Sequence, residues 1–192
     1  MRHSILRTIS ATTARLLIGA LLLVILISAS TGVSRAAQFI ASLDFTKATE
    51  SDAGAGKLAW GAAIRAPLIP FLSVEGGITY REESFSSEDL KVRMWPVTAS
   101  LWLTPLPVLY AGGGLGWYRT TYDYRSTLPY PDMTTSKVGL HLGGGVAVPL
   151  TYAIGLDLNG RYIFMQKDND VQFPTKFNPD FWSTSVGLAL KF

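Results

Sequence analysis

From Gln38 to the C-terminus, apolar and polar residues alternate with a period of two, which predicts strands with two unlike faces; no stretch shows helical periodicity. Gln38–Phe45 sets Phe39, Ala41, Leu43 and Phe45 against Gln38, Ser42 and Asp44. Lys57–Arg65 sets Leu58, Trp60, Ala62 and Ile64 against Lys57, Gly61 and Arg65. Leu72–Arg81 sets Leu72, Val74, Ile78 and Tyr80 against Ser73, Glu75, Thr79 and Arg81. The same pattern recurs in Leu109–Arg119, Lys137–Val148, Tyr152–Phe164 and Trp182–Phe192. A further segment from Leu90 to Leu103 begins with Leu90, Val92 and Met94 apolar, and after Trp95-Pro96 continues with Val97, Ala99, Leu101 and Leu103. A one-residue change of phase predicts a β-bulge near Pro96.

The connections between these eight segments also alternate. Those after the second, fourth and sixth are short and marked by proline: Ala66–Pro70, Thr104–Pro107 and Pro149-Leu150. Those after the first, third, fifth and seventh are longer and polar: Thr46–Ala55, Glu82–Asp89, Thr120–Ser136 and Met165–Phe181. An even number of strands with short turns at one end and long loops at the other is the arrangement of outer-membrane barrels, both termini lying on the short-turn side.

Ahead of the strands, Arg2, Arg7 and Arg15 precede an apolar run from Leu16 to Ala29, and Ser34-Arg35-Ala36 supplies a small-x-small site. The run is shorter than the ~18–20 residues that span a bilayer as a helix. Residues 1–36 are therefore expected to be a secretory signal peptide cleaved after Ala36, with 37–192 as the mature domain. The net charge of +3 changes meaning once this leader is set apart. Taking its four arginines from 17 basic residues leaves 13 against 14 acidic ones, a net of −1. A nucleic-acid partner loses its support. The chain has no cysteine, which removes disulfide, thiolate-metal and thiol chemistry.

The polar face mixes glycines with Asp44, Arg65, Glu75, Arg81, His141, Asp157 and Arg161. Opposite charges interleaved with small residues suit a narrow lumen better than a solvated surface, because an eight-strand barrel is just wide enough for its own side chains. The apolar face carries aromatics near segment ends, among them Trp60, Tyr80, Trp117, Tyr152, Tyr162 and Trp182. These predict aromatic girdles at two membrane interfaces. The expected fold is thus an all-β, eight-stranded antiparallel transmembrane barrel.

Three features carry a family resemblance. The chain ends Val186-Gly187-Leu188-Ala189-Leu190-Lys191-Phe192, with apolar residues alternating back from a terminal aromatic. Tyr110–Trp117 has the form Tyr-x-Gly-x-Gly-x-Gly-aromatic, and Pro96-Val97-Thr98 leads into Leu101-Trp102-Leu103 just before it. The chain resembles the small outer-membrane barrels of the OmpA, OmpX and OmpW kind. That resemblance implies residence in a bacterial outer membrane among lipid and lipopolysaccharide, and insertion by the barrel-assembly machinery reading Val186, Leu188, Leu190 and Phe192. It implies a monomer with a structural or surface-interaction role through its loops, or alternatively a narrow OmpW-like channel.

Candidate chemistry is sparse. The glycine clusters at Gly112–Gly116 and Gly143–Gly145 lack dinucleotide-binding spacing and precede no helix. His141 is the one histidine after the leader, so any hydroxyl nucleophile would depend on it. Lipid A deacylases, which the architecture resembles, keep a Ser two positions after their His, where this chain has Gly143; palmitoyltransferases keep a His in the first loop, and Thr46–Ala55 has none. A lumenal His141 bonded to Asp157, Glu75 or a hydroxyl is the expectation, with a lipid-modifying hydrolase as the alternative. Asp168-Asn169-Asp170 lacks the remaining ligands of a calcium loop. No cofactor or metal ion is expected. Tyr122, Tyr124, Tyr130, Phe173, Phe177 and Phe181 are expected on loops, as recognition surface or packed on one another.

Overall fold

A computed structural model describes residues 37–49, 56–85, 90–124, 133–165 and 180–192. The strands are β1 (Gln38–Ala48), β2 (Lys57–Ile69), β3 (Leu72–Phe85), β4 (Leu90–Leu103), β5 (Leu109–Tyr124), β6 (Met133–Pro149), β7 (Ile154–Met165) and β8 (Phe181–Lys191). Each pairs antiparallel with its neighbours in sequence, and β1 pairs with β8 to close the barrel. Closure leaves no strand edge, which is the condition for a sheet to live in lipid.

Register fixes the shape. Opposed residues lead from Gln38 through Arg65, Glu75, Ser100, Gly114, His141, Ile163 and Phe181 back to β1 at Ala48, ten residues further on (48 − 38). At ~3.3 Å per residue and ~4.8 Å between strands, that stagger tilts the strands by about 40°. The lumen-facing set is one parity on each strand and the lipid-facing set the other, except at the end of β2, where the register shift between Pro67 and Ile69 exchanges them.

The two faces are inverted relative to a water-soluble protein. Leu43 and Leu58 on the outside are 66% and 74% exposed, whereas Glu75 and His141 inside are each 1% exposed. Along β2 the outward apolar series runs from Leu58 to Ile69, eleven residues and so about 28 Å along the barrel axis at this tilt. That matches the ~25 Å apolar band of an outer-membrane barrel.

The expected bulge at Pro96 does not exist. β4 pairs with β5 in one register from Leu90↔Tyr124 to Leu103↔Ala111. With β3 the pairing is interrupted opposite Thr79 and Tyr80, then resumes unshifted at Arg81↔Met94. Proline has no N–H to give the ladder, yet the strand keeps its course. Met94 points inward and packs against a buried cluster of Tyr118, Ile163, Met165 and Phe181. The change of phase therefore marks a change in what fills the lumen, from polar below to apolar above. The register shift that does occur lies between Pro67 and Ile69, on the β2–β3 pair.

Several boundaries differ from the sequence expectation. β2 runs through the prolyl segment as far as Ile69, and Tyr152 sits in the turn before β7 rather than on it. Tyr122 and Tyr124 belong to β5, and Phe181 opens β8 with its ring buried against Tyr118, so none of the three is a loop residue. Residues 1–36, Asp168-Asn169-Asp170, Tyr130, Phe173 and Phe177 lie outside the described residues.

Candidate functional site

The lumen is crossed by a charge network built from strands on opposite walls. Arg65 on β2 and Glu75 on β3 are direct cross-strand partners, joined by bonds of 2.8 Å from Nε and 2.7 Å from Nη2 to Glu75 Oε2. From the facing wall, β7 contributes Asp157 and Arg161. Arg65 Nη1 donates to Asp157 Oδ2 at 2.8 Å, and Arg161 Nη2 donates to Glu75 Oε1 at 2.7 Å. Every ionic group thus has a counter-ion and further hydrogen bonds, which is the requirement for burying charge.

Neutral groups complete it. Tyr110 on β5 donates its hydroxyl to Asp157 Oδ1 at 2.7 Å and accepts from Asn159 Nδ2 at 3.0 Å. Arg161 Nε donates to Asn159 Oδ1 at 2.6 Å. The two guanidiniums also lie over rings, Arg65 at 4.3 Å from the Tyr110 centroid and Arg161 at 5.1 Å from Trp102. Trp102 and Tyr110 meet edge to face, so cations and π-faces stack through the middle of the barrel.

Glycine makes this possible. Ser100, Gly114 and His141 are opposed in one row, and the missing side chain at Gly114 lets Ser100 Oγ and His141 Nε2 share a hydrogen bond of 2.8 Å across it. Trp102 lies over Gly112 in the next row, and a Cβ at Gly143 would press within 3.0 Å of Arg161. His141 thus takes the hydroxyl partner, not Asp157 or Glu75. Its Nδ1 is buried and meets no carboxylate, and no metal-binding group of His, Asp and Glu forms among the described residues. Among the described residues no acid orients His141 through Nδ1, so the third member of a hydrolytic triad is not beside this pair.

Of the other residues read as lumenal, Asp44 faces inward and accepts a bond from Ser42 on its own strand at 3.2 Å. Arg81 shares the lumen face of β3 but lies six residues beyond Glu75, level with Ala59 and Met94. Asn159 shares the polar parity of Asp157 and Arg161 in the sequence, whereas the network's other uncharged members, Ser100, Trp102 and Tyr110, were not anticipated. The phase of β5 is the available signal: with Leu109 and Ala111 outward, Tyr110 must point in.

Outside, aromatics stand at both ends, with Phe39, Phe71, Tyr152 and Phe192 at the short-turn end and the tryptophans toward the long connections. Trp60, Tyr80 and Trp95 form one cluster, with centroids 4.6–6.4 Å apart, and Tyr162, Phe164 and Trp182 form another. Trp117 lies between Val97 and Val138 on the same outward face. Tyr152 alone of the six expected girdle residues is at the opposite end, fully exposed in its turn. Val186, Leu188, Leu190 and Phe192 all face outward on β8 or just after it.

A profile of the outer membrane protein beta-barrel domain matches residues 19–192. Among solved structures, the fold is similar to Neisserial surface protein A at TM-score 0.64 and 23% identity, over 81% of this chain and 97% of that one. It is also similar to the attachment invasion locus protein Ail of Yersinia pestis, with TM-score 0.56, 14% identity and coverage of 82% and 99%. The N-terminal β-barrel domain of Pseudomonas aeruginosa OprF follows at TM-score 0.53 and 11% identity, covering 82% and 98%. At these identities the likeness is one of fold. No curated protein matches the chain in sequence.

Proposed function

The chain belongs to the outer membrane protein beta-barrel domain family and resides in the bacterial outer membrane; from that premise we propose that it acts as a closed structural barrel whose long connections work at the cell surface. The observation that carries this reading is the pair of salt bridges from β7 to β2 and β3, Arg65–Asp157 and Arg161–Glu75. Arg161–Glu75 joins walls four strands apart, half the circumference of an eight-strand barrel, Arg65–Asp157 joins walls three strands apart, and Tyr110 and Trp102 fill the space beside them. A lumen occupied in this way leaves the connections at 49–56, 86–89, 125–132 and 166–179 as the parts free to differ in partner. Two similar folds, a Neisserial surface protein and an attachment invasion locus protein, bear surface roles in their names.

The reading also takes the protein to be a monomer without enzymatic activity, surrounded by lipid and lipopolysaccharide and inserted by the barrel-assembly machinery. Its test is solute flux into vesicles carrying the folded barrel. Swelling in small sugars should equal that of protein-free vesicles, and replacing 125–132 or 166–179 by Gly-Ser linkers should leave a heat-modifiable barrel that loses surface binding. Rapid sugar entry would favour the channel instead.

A further inference from the structure

Asp44 is buried as Glu75 and Asp157 are, yet among the described residues it makes no ion pair. The charges that act on it most strongly, Arg161 and Glu75, are already bonded to each other. Arg65 and Arg161 balance Glu75 and Asp157, so Asp44 is left as excess negative charge in the middle of the lumen. Other lumen-facing cations stand elsewhere: Lys57 and Lys137 toward the long connections, and Lys191 at the short-turn mouth. Arg81 shares the row of Asp44, but Ala59 lies between them and the two backbones are about 10 Å apart.

Oxygens gather around this carboxylate instead. Ser42 Oγ donates to Asp44 Oδ2 at 3.2 Å, and Ser185, directly opposite on β8, turns its hydroxyl to the same carboxylate. A carbon added to Gly61 would meet Asp44 Oδ2 at 2.9 Å, Ser42 Oγ at 3.0 Å and Thr79 Oγ1 at 3.1 Å. Side chains of β1 and β3 thus converge over a β2 residue that has none, and Gly187 leaves similar room on the far side of Ser42. We infer that Asp44, Ser42, Thr79 and Ser185 hold a monovalent cation of the sodium class. A charge taken out of water must be paired or coordinated. A hydroxyl that donates one bond keeps lone pairs for a cation. All-oxygen donors select hard ions, and a single carboxylate matches one positive charge better than calcium, whose sites draw on roughly six to eight oxygens. With the ion bound, Arg65, Arg161 and the cation balance Glu75, Asp157 and Asp44.

The experiment is urea unfolding of the folded barrel in zwitterionic micelles at neutral pH, with sodium chloride exchanged for choline chloride at constant ionic strength. Once sodium exceeds its dissociation constant, the unfolding constant should fall about tenfold for each tenfold rise in sodium, as for one ion bound to the folded state alone. Asp44→Asn should remove that dependence by taking the charge, and Gly61→Ala by filling the cradle. Glu82→Gln, which changes an acid on the outer face, should keep it. Thallium(I) soaked into crystals of the wild type reads the site without a variant, and should give an anomalous peak beside Asp44 Oδ2 and Thr79 Oγ1. Equal unfolding in the two salts, a sodium dependence that survives Asp44→Asn, or a thallium map without a peak at Asp44 would each overturn the assignment and leave the carboxyl to water or a proton. None of these outcomes depends on whether the lumen conducts.

Discussion

Arg65 and Glu75 face one another on β2 and β3, and the guanidinium uses two nitrogens, at 2.8 and 2.7 Å, on one carboxylate oxygen. The second oxygen holds Arg161 from the far wall. Glu75 therefore neutralises two cations in a site that water barely reaches. Glu75→Gln keeps the shape and removes the charge, leaving the arginines with Asp157 alone between them. The expected cost is on the order of 3 kcal/mol, read from urea unfolding of the barrel in micelles. A loss below ~0.5 kcal/mol would mean the network is not a structural tie.

Ser100 and His141 read as a packing pair. Ser100→Ala should cost about 1 kcal/mol, for one buried hydrogen bond lost and one ring nitrogen left unmatched. The folded wild type should also resist serine-reactive fluorophosphonates at concentrations that label a hydrolase within minutes. Stoichiometric labelling at Ser100 would revive the lipid-modifying alternative.

Gly114 and Gly160 should respond in opposite ways. A Cβ at Gly114 would lie 2.7 Å from the Ser100 Cα and enter the space the Ser100–His141 bond uses, whereas Gly160 faces outward with nothing within 4 Å. Gly114→Val should destabilise by more than about 2 kcal/mol or prevent folding. Gly160→Ala should stay within ~0.5 kcal/mol of wild type, since a strand gains from losing glycine where space is open. Similar effects at both sites would contradict the assignment of inner and outer faces.

Phe192 separates assembly from stability. Its ring is 71% exposed on the outer surface, and its backbone N–H bonds to Ala37 O at 2.9 Å whatever the side chain. Phe192→Ala should therefore change equilibrium stability in micelles by less than about 1 kcal/mol, while insertion in cells should fall sharply if the assembly machinery reads this residue. Normal insertion of the variant would remove the signal role.

Much of this was legible from alternation alone. On a lipid-facing strand the outward parity must be apolar over the whole bilayer, so Leu43, Leu58 and Leu188 announce both the strand and its phase. The inward parity has no such rule. It fills a space, and the lumen takes charge at Glu75, an aromatic at Trp102, nothing at Gly114 and a thioether at Met94. That freedom is why Met94 looked like a slipped phase and why Phe181 looked like a loop residue. It is also why the arginines and acids were identified as lumenal while Tyr110, which completes their bonding, was not. Which charges meet depends on the ten-residue stagger, a property of closure that no single segment records.

The central claim is that Arg65, Glu75, Asp157 and Arg161 close the lumen. Single-channel recording of the wild-type barrel in planar bilayers tests it most directly, with Glu75→Ala beside it. The account predicts no steady conductance from the wild type, and flickering openings once the acid that spans the two arginines is gone. A stable, reproducible wild-type conductance that Glu75→Ala leaves unchanged would contradict it.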